Sequence, residues 1–121
     1  MEKSILIVED NKAHMDLFKA MLRTSPCQII ESMGGVDVID LAREHRPDLI
    51  IMDIQLPKIS GVEHIKELRA DGALKNIPIL VVTAFVMKGD EEMFKQAGCD
   101  AYIPKPVRAP LFLQAITDLI G

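Results

Sequence analysis

Three uninterrupted apolar runs, each ending on a polar side chain, constrain this chain more than any other feature. Ile5-Leu6-Ile7-Val8 runs into Glu9-Asp10, Leu49-Ile50-Ile51-Met52 into Asp53, and Ile79-Leu80-Val81-Val82 into Thr83. A strand apolar at every position is covered on both faces, as in parallel sheets clothed in helices. The stretches between the runs have helical period. Met15, Phe18 and Leu22 follow Asn11, an N-cap, and predict a first helix from Lys12 to Arg23, ended by Ser25-Pro26. Val38, Leu41, Ala42 and His45 mark a second between Gly34-Gly35 and Pro47. Val62, Ile65 and Leu68 mark a third after the turn-rich stretch from Leu56 to Gly61, with Gly72 as terminator. Met87, Met93, Phe94 and Ala97 mark a fourth that stops at Gly98, and Phe112, Ala115, Ile116 and Leu119 a fifth. Two weaker strands, Cys27 to Glu31 and Asp100 to Ile103, complete an alternation of five strands and five helices. That alternation predicts an α/β fold with a parallel sheet.

The 121 residues suit one domain over positions 1–121, with no room for an output domain. The balance of 49% hydrophobic and 26% charged residues is that of a folding chain. A net charge of -4 provides no cationic field for a phosphate backbone, so direct nucleic-acid binding is not expected. No apolar run approaches the roughly 18 to 20 residues of a membrane span, and Met1-Glu2-Lys3 starts no signal peptide. The expectation is a cytoplasmic protein without membrane insertion. Cys27 and Cys99 share no metal or redox spacing and read as free, partly buried thiols.

Neighbouring parallel strands place their carboxyl ends side by side. In an open sheet of order 2-1-3-4-5, the strand order reverses between strands one and three, where ligands bind and where Asp10 and Asp53 would meet. Two like charges 4 Å apart cost about 4 kcal/mol at an effective dielectric of 20, so Glu9, Asp10 and Asp53 together call for a cation. Carboxylate oxygens without thiolate or imidazole ligands favour Mg²⁺. Lys105, before Pro106, supplies a second positive charge.

An acidic pair, a lone Asp, a Thr and a Lys-Pro at successive strand ends resemble the receiver domain of two-component response regulators. The resemblance covers essentially the whole chain. It includes Pro47-Asp48-Leu49-Ile50, Met52-Asp53-Ile54-Gln55-Leu56-Pro57, Gly61, and Ala97-Gly98-Cys99-Asp100-Ala101-Tyr102. Val8-Glu9-Asp10-Asn11 and the stretch from Val82 to Glu92 are most similar to single-domain cell-cycle regulators of the DivK type. The resemblance implies a flavodoxin-like (βα)5 three-layer sandwich, order 2-1-3-4-5, and a phosphorelay switch rather than an enzyme.

It further implies that Asp53 accepts a phosphoryl group from a sensor histidine kinase or phosphotransfer protein. Mg²⁺ would be held by Asp10, Asp53 and the Gln55 main-chain carbonyl, with Glu9 acting through water. Lys105, after a cis peptide to Pro106 and turned inward, would pair with a phosphoryl oxygen. Thr83, next to Ala84, would bond the phosphoryl group, and Tyr102 would turn into the space vacated. The regulated partner protein would then bind the face of helix four, strand five and helix five, or helix one. Glu9, Asp10 and Asp53 thus form a transfer half, Thr83 and Lys105 a half that reads the result. Asn11, His14 and Phe85 border the site and could tune partner choice, and Gln55 and Phe85 flank the path of attacking water.

Blander readings stand beside these. Taken singly, the acids, Thr83 and Lys105 are ordinary caps and surface charges; their conjunction favours function. His14, His45 and His64 lie on three helices without ligand spacing and read as exposed or helix-face histidines. Val38 and Met33-Gly34-Gly35 depart from the family pattern and suggest a second strand and helix that are displaced or mobile. A fragment of a longer regulator is one alternative. An aspartyl-phosphate phosphatase lacks its second acid, since Gln55 stands there, and a flavodoxin-like cofactor protein lacks a Ser/Thr/Gly-rich loop after strand one.

Overall fold

The structure is a computed structural model that describes residues 3–24, 27–54, 61–84 and 90–120. Strands and helices alternate as β1 (Lys3–Glu9), α1 (Lys12–Met21), β2 (Cys27–Met33), α2 (Val38–His45), β3 (Leu49–Asp53), α3 (Gly61–Ala70), β4 (Ile79–Thr83), α4 (Asp90–Ala97), β5 (Ala101–Pro104) and α5 (Ala109–Ile120). The five strands form one parallel sheet, as the alternation predicts, in the order β2-β1-β3-β4-β5 that the family resemblance implies.

Because successive side chains of a strand point to opposite faces, the all-apolar runs feed two cores. Leu6, Val8, Ile50, Met52, Ile79 and Val81 pack with α2, α3 and α4 through Val38, Ala42, Ile65, Leu68, Phe94 and Ala97. Ile5, Ile7, Leu49, Ile51, Leu80, Val82 and Ile103 pack with α1 and α5 through Met15, Phe18, Leu22, Phe112 and Ile116. Phe18 and Phe112 stack with ring centroids 5.5 Å apart, joining α1 to α5. The result is helix layer, sheet, helix layer.

Element ends shift by a few residues from the sequence reading. Helix α1 stops at Met21, with Leu22 as its cap, before the residues on which Ser25-Pro26 was expected to act; Ser25 and Pro26 lie outside the described residues. Met87, assigned to the fourth helix, also lies outside them. Strand β2 is longer than expected and pairs with β1 from Lys3–Cys27 to Glu9–Met33, so it is not displaced. Gly34 and Gly35 follow at φ 87° and 82°, a left-handed conformation that costs glycine little. The Gly34 N–H donates to the Glu9 carbonyl at 3.3 Å, so this turn is tied to the strand end beside the site. Val38 is fully buried.

Candidate functional site

The register staggers the strand ends. Val8 pairs with Met52, Asp53 with Val82, and Thr83 with Pro104, so β4 and β5 carry their polar ends progressively further out along the carboxyl edge. Glu9 and Asp53 keep parity with Ile7 and Ile51, on the α1/α5 face. Glu9 is fully buried, Asp53 is 5% exposed, and Asp10 in the loop beyond is exposed. Each offers a carboxylate oxygen within 4.8 Å of the others.

Lys105 stands over this group. Its Nζ donates to Glu9 Oε2 at 3.0 Å, lies 3.4 Å from Asp53 Oδ2, and lies 2.9 Å from His14 Nδ1. Its main-chain N–H donates to the Thr83 carbonyl at 2.8 Å, and its peptide to Pro106 is cis. The inward lysine and the cis peptide match the expectation. Lys105 stands beside Glu9 and Asp53 as the second positive charge expected there, while Thr83 keeps parity with Ile79 and Val81 on the other face. By position, then, Lys105 groups with Glu9 and Asp53 and apart from Thr83. Thr83, fully buried, and Tyr102, packed on the α2–α4 side with its ring 5.9 Å from that of Phe94, form the other group.

The start of α1 closes the near side. Asn11 caps the helix by accepting from the His14 N–H at 3.1 Å, while its own N–H donates to Glu9 Oε1 at 3.2 Å. The buried Glu9 thus has an acceptor atom committed on each side, to Asn11 and to Lys105. Glu9, Asp10, Asn11, His14, Asp53, Ala84 and Lys105 line a cleft of about 360 Å³. Gln55 and Phe85 lie outside the described residues.

Behind Asp53 the space is closed by backbone. The Gly61 N–H donates to the Ile54 carbonyl at 2.9 Å, and a Cβ on Gly61 would stand 2.5 Å from the Asp53 carbonyl oxygen. Gly61, read as a loop residue, opens α3 and presses against the chain segment that carries Asp53.

The residues present fit a hard divalent cation. Three carboxylates face one ammonium, leaving two negative charges uncompensated, and their donors are all oxygens, the preference of Mg²⁺. His14 lines the cleft, but its Nδ1 is taken by Lys105.

One histidine departs from the sequence reading. His64 is 2% exposed, and neither of its ring nitrogens has a hydrogen-bond partner among the described residues. Burial lowers its pKa below the ordinary 6.5, opposed by the nearby Glu67 carboxylate. His45 is exposed and His14 intermediate, in line with that reading.

None of the described helices is long and apolar enough to cross a membrane, and Cys27 and Cys99 are partly buried and not joined in a disulfide. Residues 5–117 match the response regulator receiver domain. The polar-differentiation response regulator DivK of Brucella anthropi is 51% identical over 121 residues, which span all of this chain and 98% of that one. The DivK of Brucella melitensis is 50% identical over the same span. Among solved structures, the receiver domain of a Pseudomonas aeruginosa sensor histidine kinase, with magnesium coordinated in its active-site cleft, superposes with a TM-score of 0.91 at 31% identity and covers 100% of this chain and 99% of that one. Vibrio cholerae chemotaxis protein CheY4 shares the fold, with a TM-score of 0.91 at 22% identity over 98% of this chain and 99% of its own. A parallel sheet of order 2-1-3-4-5 with this edge, matched in family model and over full length, places the chain in the response-regulator receiver family, where it is DivK-like.

Proposed function

We propose that this chain is a phosphorylation switch: Asp53 accepts a phosphoryl group from a histidine kinase or phosphotransfer protein, and the modified domain binds a regulated partner protein. The observation that carries this reading is the half-buried Lys105 ammonium set between Glu9 and Asp53 within a group of three converging carboxylates. Such an arrangement has little use as a structural ion pair, since it leaves excess negative charge at the mouth of a cleft. It suits a site that receives a cation and then an anion.

In the proposed reaction an Asp53 carboxylate oxygen forms a bond to phosphorus as the phosphorus–nitrogen bond of the donor phosphohistidine breaks, the electron pair returning to the imidazole. Asp10 and Asp53 would hold Mg²⁺ together with the Gln55 main-chain carbonyl and Glu9. Bound there, the ion supplies charge neutralisation for the incoming phosphoryl group. Magnesium coordinated in the active-site cleft of the Pseudomonas aeruginosa receiver supports a magnesium site in this cleft.

Lys105 neutralises a phosphoryl oxygen. Thr83 answers from the other face of the sheet, its hydroxyl moving to a phosphoryl oxygen, and Tyr102 rearranges against Phe94 and α4. The surface of α4, β5 and α5 thereby changes, and α1 offers the second docking face. The likeness to DivK regulators supports a cell-cycle or polarity role, in the cytoplasm. Beyond self-directed phosphotransfer and autodephosphorylation, no enzymatic activity is proposed.

The test is intact mass after incubation with Mg²⁺ and either acetyl phosphate or a phosphorylated kinase. The expected result is one added phosphoryl group on the wild type and none on Asp53→Asn. Wild-type protein that takes up no label from either donor contradicts the proposal.

A further inference from the structure

We infer that His14 is a positioning residue for Lys105: its Nδ1 holds the ammonium on the α1 side of the cleft, away from the Asp53 carboxylate. The inference rests on the proposed phosphoryl transfer for its kinetic consequence, and on contacts in the unmodified protein for its geometry.

A lysine ammonium has three protons and no lone pair. Its three neighbours are His14 Nδ1 at 2.9 Å, Glu9 Oε2 at 3.0 Å and Asp53 Oδ2 at 3.4 Å. Charge-assisted bonds to carboxylates ordinarily measure about 2.7 to 2.9 Å, so the contact with Asp53 is the stretched one. The anchors explain the stretch. Glu9 is fully buried and its other oxygen accepts from the Asn11 N–H, so it does not follow the ammonium. His14 is fixed at the first turn of α1 by the Asn11 cap, and the Lys105 backbone is tied to the Thr83 carbonyl. Between these fixed points, two short bonds draw Nζ toward α1.

The same Nδ1 stands 3.6 Å from Glu9 Oε1; because the ammonium only donates, on this inference Nδ1 is the acceptor of the contact with Lys105, which places the ring proton on Nε2. The side chain is 43% exposed, so packing does not account for its place. Loss of this acceptor leaves one ammonium proton to seek another, and Asp53 is the nearest. A lysine closed onto Asp53 covers a carboxylate oxygen that must attack phosphorus. His14 thus keeps the acceptor carboxylate open until a phosphoryl group arrives to compete for the lysine. A role in partner choice alone makes a different prediction, since it has no effect on a donor without a docking surface.

The experiment compares wild type, His14→Ala and His14→Asn. Asparagine carries an acceptor oxygen on Cγ, where histidine carries Nδ1, and so serves as the conservative rescue. The initial rate of Asp53 labelling by acetyl phosphate with Mg²⁺ falls on the order of tenfold in His14→Ala, the effect of one charge-assisted hydrogen bond. It stays close to wild type in His14→Asn, with melting midpoints unchanged in both. Separately, nitrogen-15 spectra of unmodified, Mg²⁺-free protein show the His14 proton on Nε2, a preference lost in Lys105→Met. A wild-type labelling rate in His14→Ala, an asparagine variant as slow as the alanine one, or a ring proton on Nδ1 overturns the inference. If wild-type protein takes no label, the functional reading fails, and the spectra still decide the contact.

Discussion

Two long cations, one at each edge of the sheet, show how differently this fold uses the same kind of charge. At the amino edge, Arg69 reaches from α3 to the entries of β4 and β5. It donates to the carbonyls of Gly98 at 2.8 Å, Lys75 at 2.9 Å and Ile77 at 2.7 Å, and to Asp100 Oδ2 at 2.7 Å. That same carboxylate oxygen accepts from the Ile79 N–H, so the clasp fixes the start of β4. Among the described residues Arg69 has one anionic partner and three neutral ones, and the edge is closed. At the carboxyl edge, Lys105 faces a group of three carboxylates, and the edge remains open to a further cation. Geometry and charge balance separate a cation that closes an edge of the fold from one that leaves an edge open.

The comparison breaks if the two cations can be exchanged in their effects. Lys105→Met is expected to slow labelling of Asp53 by about 100-fold, the cost of removing one preorganised donor from an anionic transition state. Arg69→Met is expected to leave that rate near wild type while lowering unfolding free energy by roughly 2 to 4 kcal/mol, since several carbonyls lose their donors. Urea denaturation beside a labelling time course reads both. A slow Arg69 variant would place the clasp within the reactive machinery.

A smaller effect sharpens the carboxyl edge. Gly61→Ala should cost roughly 1 to 3 kcal/mol, the range for overpacking, because the added Cβ collides with main-chain atoms of Asp53 and Ile54 rather than with a side chain able to turn away. It should slow labelling too, since the strained segment carries Asp53. A variant with normal stability and normal labelling would mean that the approach relaxes freely.

The smallest effect belongs to His64. Its folded pKa lies below the ordinary 6.5, so the unfolded chain binds the proton at higher pH than the folded one. Stability is therefore fully present above about pH 6.5 and declines as pH falls below it toward the folded value. The melting midpoint should drop between pH 7.5 and 5.5 more in wild type than in His64→Leu. Equal drops would remove His64 from the account.

Much of this was written locally in the chain. Strand ends were readable because apolar runs stop where the sheet stops, and the start of α1 because Asn11 has a cap's chemistry. The separation of Thr83 from Lys105 onto opposite faces was not readable. Parity along one strand says which residues share a face, but relating Asp53 to Thr83 needs the register between strands, which is a tertiary fact. His64 was misjudged for another reason. It shares the buried stripe of Gly61, Ile65 and Leu68, and its helical position was outweighed by its polar type. Gly34 and Gly35 looked like an interruption of the pattern because their positive φ angles, and the bond from Gly34 to Glu9, do not show in the sequence.

The central claim is that the carboxyl edge holds two negative charges in excess and is built for a divalent cation. Melting midpoints across a Mg²⁺ titration test it most directly, comparing wild type with Asp10→Ala, a substitution at an exposed position that leaves both cores intact. The account predicts a saturable rise in the wild-type midpoint, reversed by chelator, and a much weaker response in the variant. A wild-type midpoint indifferent to Mg²⁺, or an equal rise in both proteins, would contradict it.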